Sequence, residues 1–156
     1  MNKVAIYPGS FDPFTNGHLD IAKRASAIFD KTVIIIGVNV NKKRVFDANE
    51  MKIAIEKTLK FNHIENCEVI IFNGLIAEYA KQNNISYMVR GLRNNMDYNY
   101  EENIAEVNKL INPRLEYVYL RANNVALSSS MVRELQAFGL DFSKYIPTFV
   151  AEIMDR

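Results

Sequence analysis

A chain of 156 residues, 49% hydrophobic and 24% charged, can form one domain with its own core and is too ordinary in composition for a fibrous or disordered protein. Its net charge of +1 supplies no global field for nucleic acid or an anionic membrane, and no apolar run approaches the roughly 20 residues that span a bilayer. The single cysteine, Cys67, excludes an internal disulfide. With no signal-peptide pattern at the N-terminus, we expect a cytoplasmic protein with a single domain over residues 1–156.

In chain order, VAIY from Val4 reads as a short buried strand. A helix is expected from about Gly17 to Phe29, with Leu19, Ala22, Ala25, Ile28 and Phe29 on one face. TVIIIGVNV from Thr32 is a β-branched run, as in a strand covered on both sides. DANEMKIAIEKTLKF opens on Asp47 with Glu50 three residues later, resembling a capping box. CEVIIF and SYMVRG read as strands, with the helix GLIAEYAKQNN between them. A long helix from about Asn95 to Ile111 ends at Asn112-Pro113, and LEYVYL is a fifth strand. SSSMVRELQAF begins a helix that Gly139 ends, and Pro147 suits the first turn of a last short helix.

Apolar strands alternating with helices predict an α/β protein, a Rossmann-like doubly wound five-stranded parallel sheet with helices on both faces. Such sheets bind ligands outside the carboxyl ends of their strands, where strand order switches. That rule selects residues 8–18, 39–44, 90–93 and 123–130, all rich in polar or cationic side chains; the corresponding stretch Gly74-Leu75-Ile76 is apolar.

His18 lies where a helix begins, the end that carries partial positive charge, so either it stays neutral or an anion sits beside it. Gly9 and Gly17 allow close backbone approach, but the glycines follow neither the P-loop nor the dinucleotide pattern. Thr15 or Asn16 would cap this helix. Arg90 and Arg93, three apart across Gly91-Leu92, suit a phosphate, although Arg90 could instead pair with Asp97. Of Ser128, Ser129 and Ser130, one would suffice as an N-cap. Lys43 and Arg44 read as solvated loop residues, and the tyrosines at 98–100 and 117–119 as packing residues.

GSFDPFTNGH at 9–18 resembles the signature of a nucleotidyltransferase superfamily marked by His-x-Gly-His, with Thr15 in place of the first histidine. Together with RGLR at Arg90–Arg93 and SSSMVREL, it is similar to the phosphopantetheine adenylyltransferase family from Val4 through the last helix. The resemblance implies transfer of AMP from ATP to 4′-phosphopantetheine, giving dephospho-coenzyme A and pyrophosphate. Attack of one phosphate on another needs positioning and charge stabilisation, not a protein nucleophile.

By the same resemblance, His18 stabilises the transition state at the ATP phosphates, Ser10 touches the reacting phosphates and the Phe11 backbone lies against ATP. Lys42 bridges to the acceptor phosphate, Arg90 binds that phosphate, and Ile76 lines the pantetheine arm. Gly91, Leu92 and Arg93 bind ATP, as do Glu101 and, at the β- and γ-phosphates, Ser128, Ser129 and Ser130. Mg²⁺ is expected to ride mainly on ATP, since no dense carboxylate cluster is present. A homohexamer and coenzyme A as a feedback ligand are also implied. The sequence departs from the family in ANNVALSSS, which is shorter than usual and lacks a proline and an aromatic, and in Asn99, where an acid is common. The rival readings are a nicotinate-mononucleotide adenylyltransferase or glycerol-3-phosphate cytidylyltransferase, which normally keep the first histidine, and a non-catalytic nucleotide or coenzyme A sensor.

Overall fold

The computed structural model describes residues 2–39, 41–93, 95–123 and 128–155, without the side chains of residues 95–101. Five strands, β1 (Val4–Gly9), β2 (Lys31–Gly37), β3 (Cys67–Phe72), β4 (Tyr87–Leu92) and β5 (Glu116–Arg121), form one parallel sheet in the order β3-β2-β1-β4-β5. The helices are α1 (Asn16–Ile28), α2 (Ala48–Phe61), α3 (Ile76–Gln82), α4 (Asn95–Ile111), α5 (Ser129–Ala137) and α6 (Thr148–Met154), with a 3₁₀ turn at Ser143–Tyr145. The doubly wound α/β architecture expected from the alternation is the one observed.

Alternate strand residues divide the core. Ala5, Tyr7, Ile34, Ile36 and Val89 face α1, α2, α5 and α6, whereas Ile6, Val33, Ile35 and Met88 face Ala77 and Ala80 of α3 and Ile111 of α4. The four consecutive residues Val33–Ile36 are at most 3% exposed, which is why β2 reads as an unbroken apolar run. The Tyr117 and Tyr119 rings lie 5.8 Å apart on β5, tilted at 42°, and their hydroxyls engage Asn108 and Glu102 of α4, as packing residues; Tyr98–Tyr100 lie outside the described side chains.

Three local expectations shift. β2 stops at Gly37, paired with Phe72; Val38 just beyond it still donates its N–H to the Phe72 carbonyl at 3.0 Å and packs against the core, while Val40 lies outside the described residues. Ile28 is 55% exposed, so the buried face of α1 runs through Ile21, Ala22 and Ala25 to Phe29, which caps the helix instead of extending it. Pro147 is the N-cap of α6, one residue before its first turn.

The switch in strand order produces an opening. β1 pairs with β2 as far as Gly9↔Ile36, but its pairing with β4 ends at Ile6↔Met88. β4 nevertheless continues alongside β5 to Leu92↔Arg121. Beyond Ile6 the two halves of the sheet therefore part, and the loops at their carboxyl ends surround the gap.

Candidate functional site

A cavity of about 700 Å³ occupies that gap. Residues 7–11 and 15–18 line one wall, Arg90, Gly91 and Arg93 another, and Ser128–Ser130 with Arg133 a third. Lys144, from the 3₁₀ turn, also lines it; its carbonyl accepts from Asn16 Nδ2 at 3.1 Å, which holds the turn beside the start of α1. The N-termini of α1 and α5 both open here, each with backbone N–H groups that lack intrahelical partners.

His18 is fixed by its own helix start. Thr15 is the N-cap: its hydroxyl accepts from His18 N at 3.3 Å, while its backbone N–H donates to His18 Nδ1 at 2.9 Å. This is a capping box with an imidazole in place of the usual Glu or Gln. Because an N–H can only donate, Nδ1 must be the accepting nitrogen, and the proton of the neutral ring resides on Nε2. Phe11 packs perpendicular to the imidazole at 4.9 Å between centroids and Phe14 lies 5.6 Å away. Burial, then the charges of Arg90 and Arg93, lower the His18 pKa from 6.5 to about 3. The histidine that looked misplaced at a positive helix end is thus a neutral hydrogen-bond donor.

Phe11 adopts φ +47°, a left-handed conformation costly for a residue with a Cβ. Neighbouring groups hold it there: the Phe11 ring packs edge-on against Tyr7 at 5.3 Å, and its carbonyl accepts from Arg44 Nη2 at 3.2 Å. Gly9 lies beneath it, and a Cβ at that position would sit 3.0 Å from the Phe11 ring, tighter than an ordinary contact. Gly91 likewise brings β4 close to α1, where a Cβ would meet Ile21 at 3.2 Å.

Arg90 bridges the parted strands by donating to the carbonyl of Pro8 at 2.5 Å. Its guanidinium and that of Arg93 face the same space as His18. The three serines divide their work. Ser128 is the N-cap, accepting from Met131 N at 3.1 Å, Ser129 donates to the Pro13 carbonyl at 2.7 Å, and Ser130 accepts from Arg133 Nη2 at 3.2 Å. Asp20 is a carboxylate of the lining, and Arg24 at 3.0 Å and Asn123 at 3.1 Å both donate to its Oδ2.

Of the residues expected at the site, the cavity brings together Ser10, Phe11, His18, Arg90, Gly91, Arg93 and Ser128–Ser130. Leu92 ends β4 just between Gly91 and Arg93, its carbonyl taken by Ala122 N at 2.7 Å. Lys42 is exposed on the loop after β2, and Ile76, at the start of α3, is half-buried against the α3–α4 side of the core; neither lines the cavity. Glu101 belongs to α4, but its side chain, like that of Asp97, lies outside the described residues. Arg44 departs from the expectation of a solvated loop residue, being half-buried and bonded to the turn that bears Ser10 and Phe11, while Lys43 beside it is exposed. Arg133 and Lys144 were not anticipated; the bonds that tie their segments to the β1–α1 turn and the start of α1 reach more than a hundred residues back, beyond any local pattern.

Four cations, two helix N-termini, the serine hydroxyls and a neutral imidazole N–H converge on one cavity, an arrangement suited to a polyanion such as a chain of phosphates. Among the described residues no three His, Cys, Asp or Glu side chains converge as a metal cage.

Residues 6–135 match the family described as cytidylyltransferase-like. Over 157 residues the chain is 46% identical to the phosphopantetheine adenylyltransferase of Clostridium botulinum (strain Alaska E43 / Type E3), covering 99% of this chain and 98% of that one. It is 41% identical to the phosphopantetheine adenylyltransferase of Cytophaga hutchinsonii, covering 94% and 98%. Among solved structures, a putative nicotinate-nucleotide adenylyltransferase from Vibrio parahaemolyticus superposes with a TM-score of 0.70 at 18% identity, over 99% of this chain and 92% of that one. A bifunctional NMN adenylyltransferase/ADP ribose pyrophosphatase from Francisella tularensis gives 0.74 at 18% identity, over 100% of this chain and 51% of the other. Both structures share the fold.

Proposed function

This chain belongs to the cytidylyltransferase-like family and, within it, to the phosphopantetheine adenylyltransferases, and from that premise we propose that it transfers the adenylyl group of ATP to 4′-phosphopantetheine, releasing dephospho-coenzyme A and pyrophosphate. The observation that carries the mechanism is the neutral His18 held with its Nε2–H free to donate, in a cavity that four cationic side chains also line. An acceptor phosphate oxygen attacks the α-phosphorus of ATP in line. One P–O bond forms as the bond to the pyrophosphate oxygen breaks, with no covalent enzyme intermediate. His18 donates to an oxygen of the reacting phosphate without competing for its proton, and the surrounding guanidinium groups offset the charge that builds up.

Ser10 and the Phe11 backbone approach the nucleotide from the β1–α1 turn, and Gly91, Leu92 and Arg93 from the end of β4. Ser128, Ser129 and Ser130 receive the β- and γ-phosphates at the start of α5. Glu101 belongs to the nucleotide side of the same reading. Arg90 and Lys42 hold the acceptor phosphate, and the arm runs toward Ile76, which begins α3 at the same edge of the sheet. Mg²⁺ would be carried by the ATP phosphates and would supply further charge neutralisation there; among the described residues the lining holds four cationic side chains and one carboxylate, Asp20, which fits a metal that arrives with its nucleotide. No helix of the described residues is long and apolar enough to cross a membrane; a cytoplasmic location and a single domain over residues 1–156 belong to the same reading. A homohexamer, with coenzyme A as feedback ligand, belongs to the same reading; exposed Phe61, Leu110 and Phe138 are suitable for subunit contacts.

The test is product identification by mass after incubation with ATP, Mg²⁺ and 4′-phosphopantetheine, beside tubes offering nicotinate mononucleotide with ATP and glycerol 3-phosphate with CTP. Dephospho-coenzyme A in the first tube alone supports the proposal. Product only in another tube overturns the acceptor, and ATP binding without any product favours a sensor.

A further inference from the structure

Arg44 lies outside the cavity, yet it joins the two sides of the proposed reaction. Its Nε donates to the Phe46 carbonyl of its own loop at 3.0 Å. The two remaining nitrogens reach across to the β1–α1 turn, Nη1 to the Ser10 carbonyl at 2.5 Å and Nη2 to the Phe11 carbonyl at 3.2 Å. Asp12 completes the link from the other side: its carboxylate accepts from Val45 N and Phe46 N, each at 2.9 Å, and stands 3.8 Å from Arg44 Nη2. The Arg44 and Asp12 side chains are only 16% and 11% exposed, so this pair is shielded far more than a surface ion pair. Four hydrogen bonds and an ion pair thus connect segments more than thirty residues apart.

The far side of the same turn is held as firmly. Arg133 Nη1 donates to the Asp12 carbonyl at 2.6 Å and Ser129 Oγ to the Pro13 carbonyl at 2.7 Å. Four successive carbonyls, from Ser10 to Pro13, are therefore engaged by side chains, the first two by Arg44 of the loop after β2 and the last two by Arg133 and Ser129 of α5. A rigid fork is what two adjacent carbonyls require; an ammonium has no such geometry.

We propose that Arg44 is a positioning residue, one that locks the loop carrying Lys42 to the Ser10–Phe11 turn so that acceptor phosphate and nucleotide meet in line. The inference rests on the reading of Lys42 as the acceptor-phosphate lysine. Displacing one reactant by about 1 Å is enough to lose on the order of a hundredfold in rate, while each substrate still binds its own half of the site.

The test is a double-mutant cycle of Lys42→Ala and Arg44→Gln on kcat, with ATP Kd measured without acceptor, and with thermal melts to confirm folding. Lys43→Ala serves as the charge control in the same loop, and Arg44→Lys as a milder variant should Arg44→Gln fold poorly. We expect Arg44→Gln to lower kcat by about 10–100-fold with ATP Kd changed less than about threefold, Arg44→Lys to recover part of the loss, and Lys43→Ala to match the parent. In the Lys42→Ala background, Arg44→Gln should cost less than about twofold more, because the group it positions is gone. A parent-like Arg44→Gln, an equal loss in ATP affinity, or losses that multiply in the double variant would overturn the inference alone. A fully active Lys42→Ala would overturn the reading of Lys42 and this inference with it.

Discussion

As pH falls, the unfolded chain takes up a proton at His18 long before the folded chain does. The half-buried imidazole packs against Phe11 and Phe14, its Nδ1 accepts the Thr15 N–H, and its pKa falls from 6.5 to about 3. Between those values the folded state binds fewer protons than the unfolded one, so the stability tied to neutral His18 is complete above about pH 7 and drains away on acidification. At about 1.36 kcal/mol per pH unit below the unfolded pKa, the loss between about pH 7.5 and pH 4.5 amounts to about 2–3 kcal/mol. Urea unfolding of the parent and of His18→Gln, across that range, isolates the effect, because the carboxylates titrate in both and cancel in the difference. The parent's margin over the variant should shrink by about 2–3 kcal/mol between the two ends of the range. A margin that stays flat would mean that His18 charges like a free imidazole when folded, and the neutral donor would have to be abandoned.

His18→Ala should abolish turnover while ATP Kd stays within a few-fold, as a pyrophosphate-release assay and titration calorimetry would show; turnover within a few-fold of the parent would remove the histidine from the transition state. Arg90→Ala should raise the acceptor's KM more than that of ATP in steady-state kinetics, and equal effects would detach Arg90 from the acceptor phosphate. Thr15→Ala removes the hydroxyl that caps α1 but leaves the backbone N–H on Nδ1, so about 1 kcal/mol of stability and a few degrees of Tm should go while kcat stays within a few-fold. A large loss of kcat at unchanged Tm would instead assign the orientation of the ring to the hydroxyl.

The architecture was legible because it rests on local pattern: Val33–Ile36 could only belong to a doubly covered strand, and Asp47 and Ser128 announce helices that they do cap. The cavity was legible through two signals, glycines where the backbone must pass close to a ring or helix, and polar loops gathered at one edge of the sheet. Arg44 was not, because nothing in Lys-Lys-Arg distinguishes a side chain that finds two carbonyls thirty-odd residues upstream from one left in water. Arg133 and Lys144 escaped for the same reason. The end of β2 was misjudged because valine serves a packed loop as readily as a strand, and only the partner strand's length decides between them. The protonation state of His18 was posed by the sequence as an alternative; the direction of one backbone N–H resolves it.

The early end of the β1–β4 register has a consequence for how the molecule opens. In most sheets the best-protected amides lie at the centre and exchange is fastest at the rim. Here a seam runs down the middle: past Met88 the edge of β4 that faces β1 has left the register, and Arg90 spans it to the Pro8 carbonyl. Deuterium should therefore enter the heart of this sheet sooner than its depth suggests, and a bound phosphate chain that touches both banks acts as the missing rungs. Slowed exchange along Val89–Leu92 on adding nucleotide would make substrate binding visible as the mending of the sheet itself.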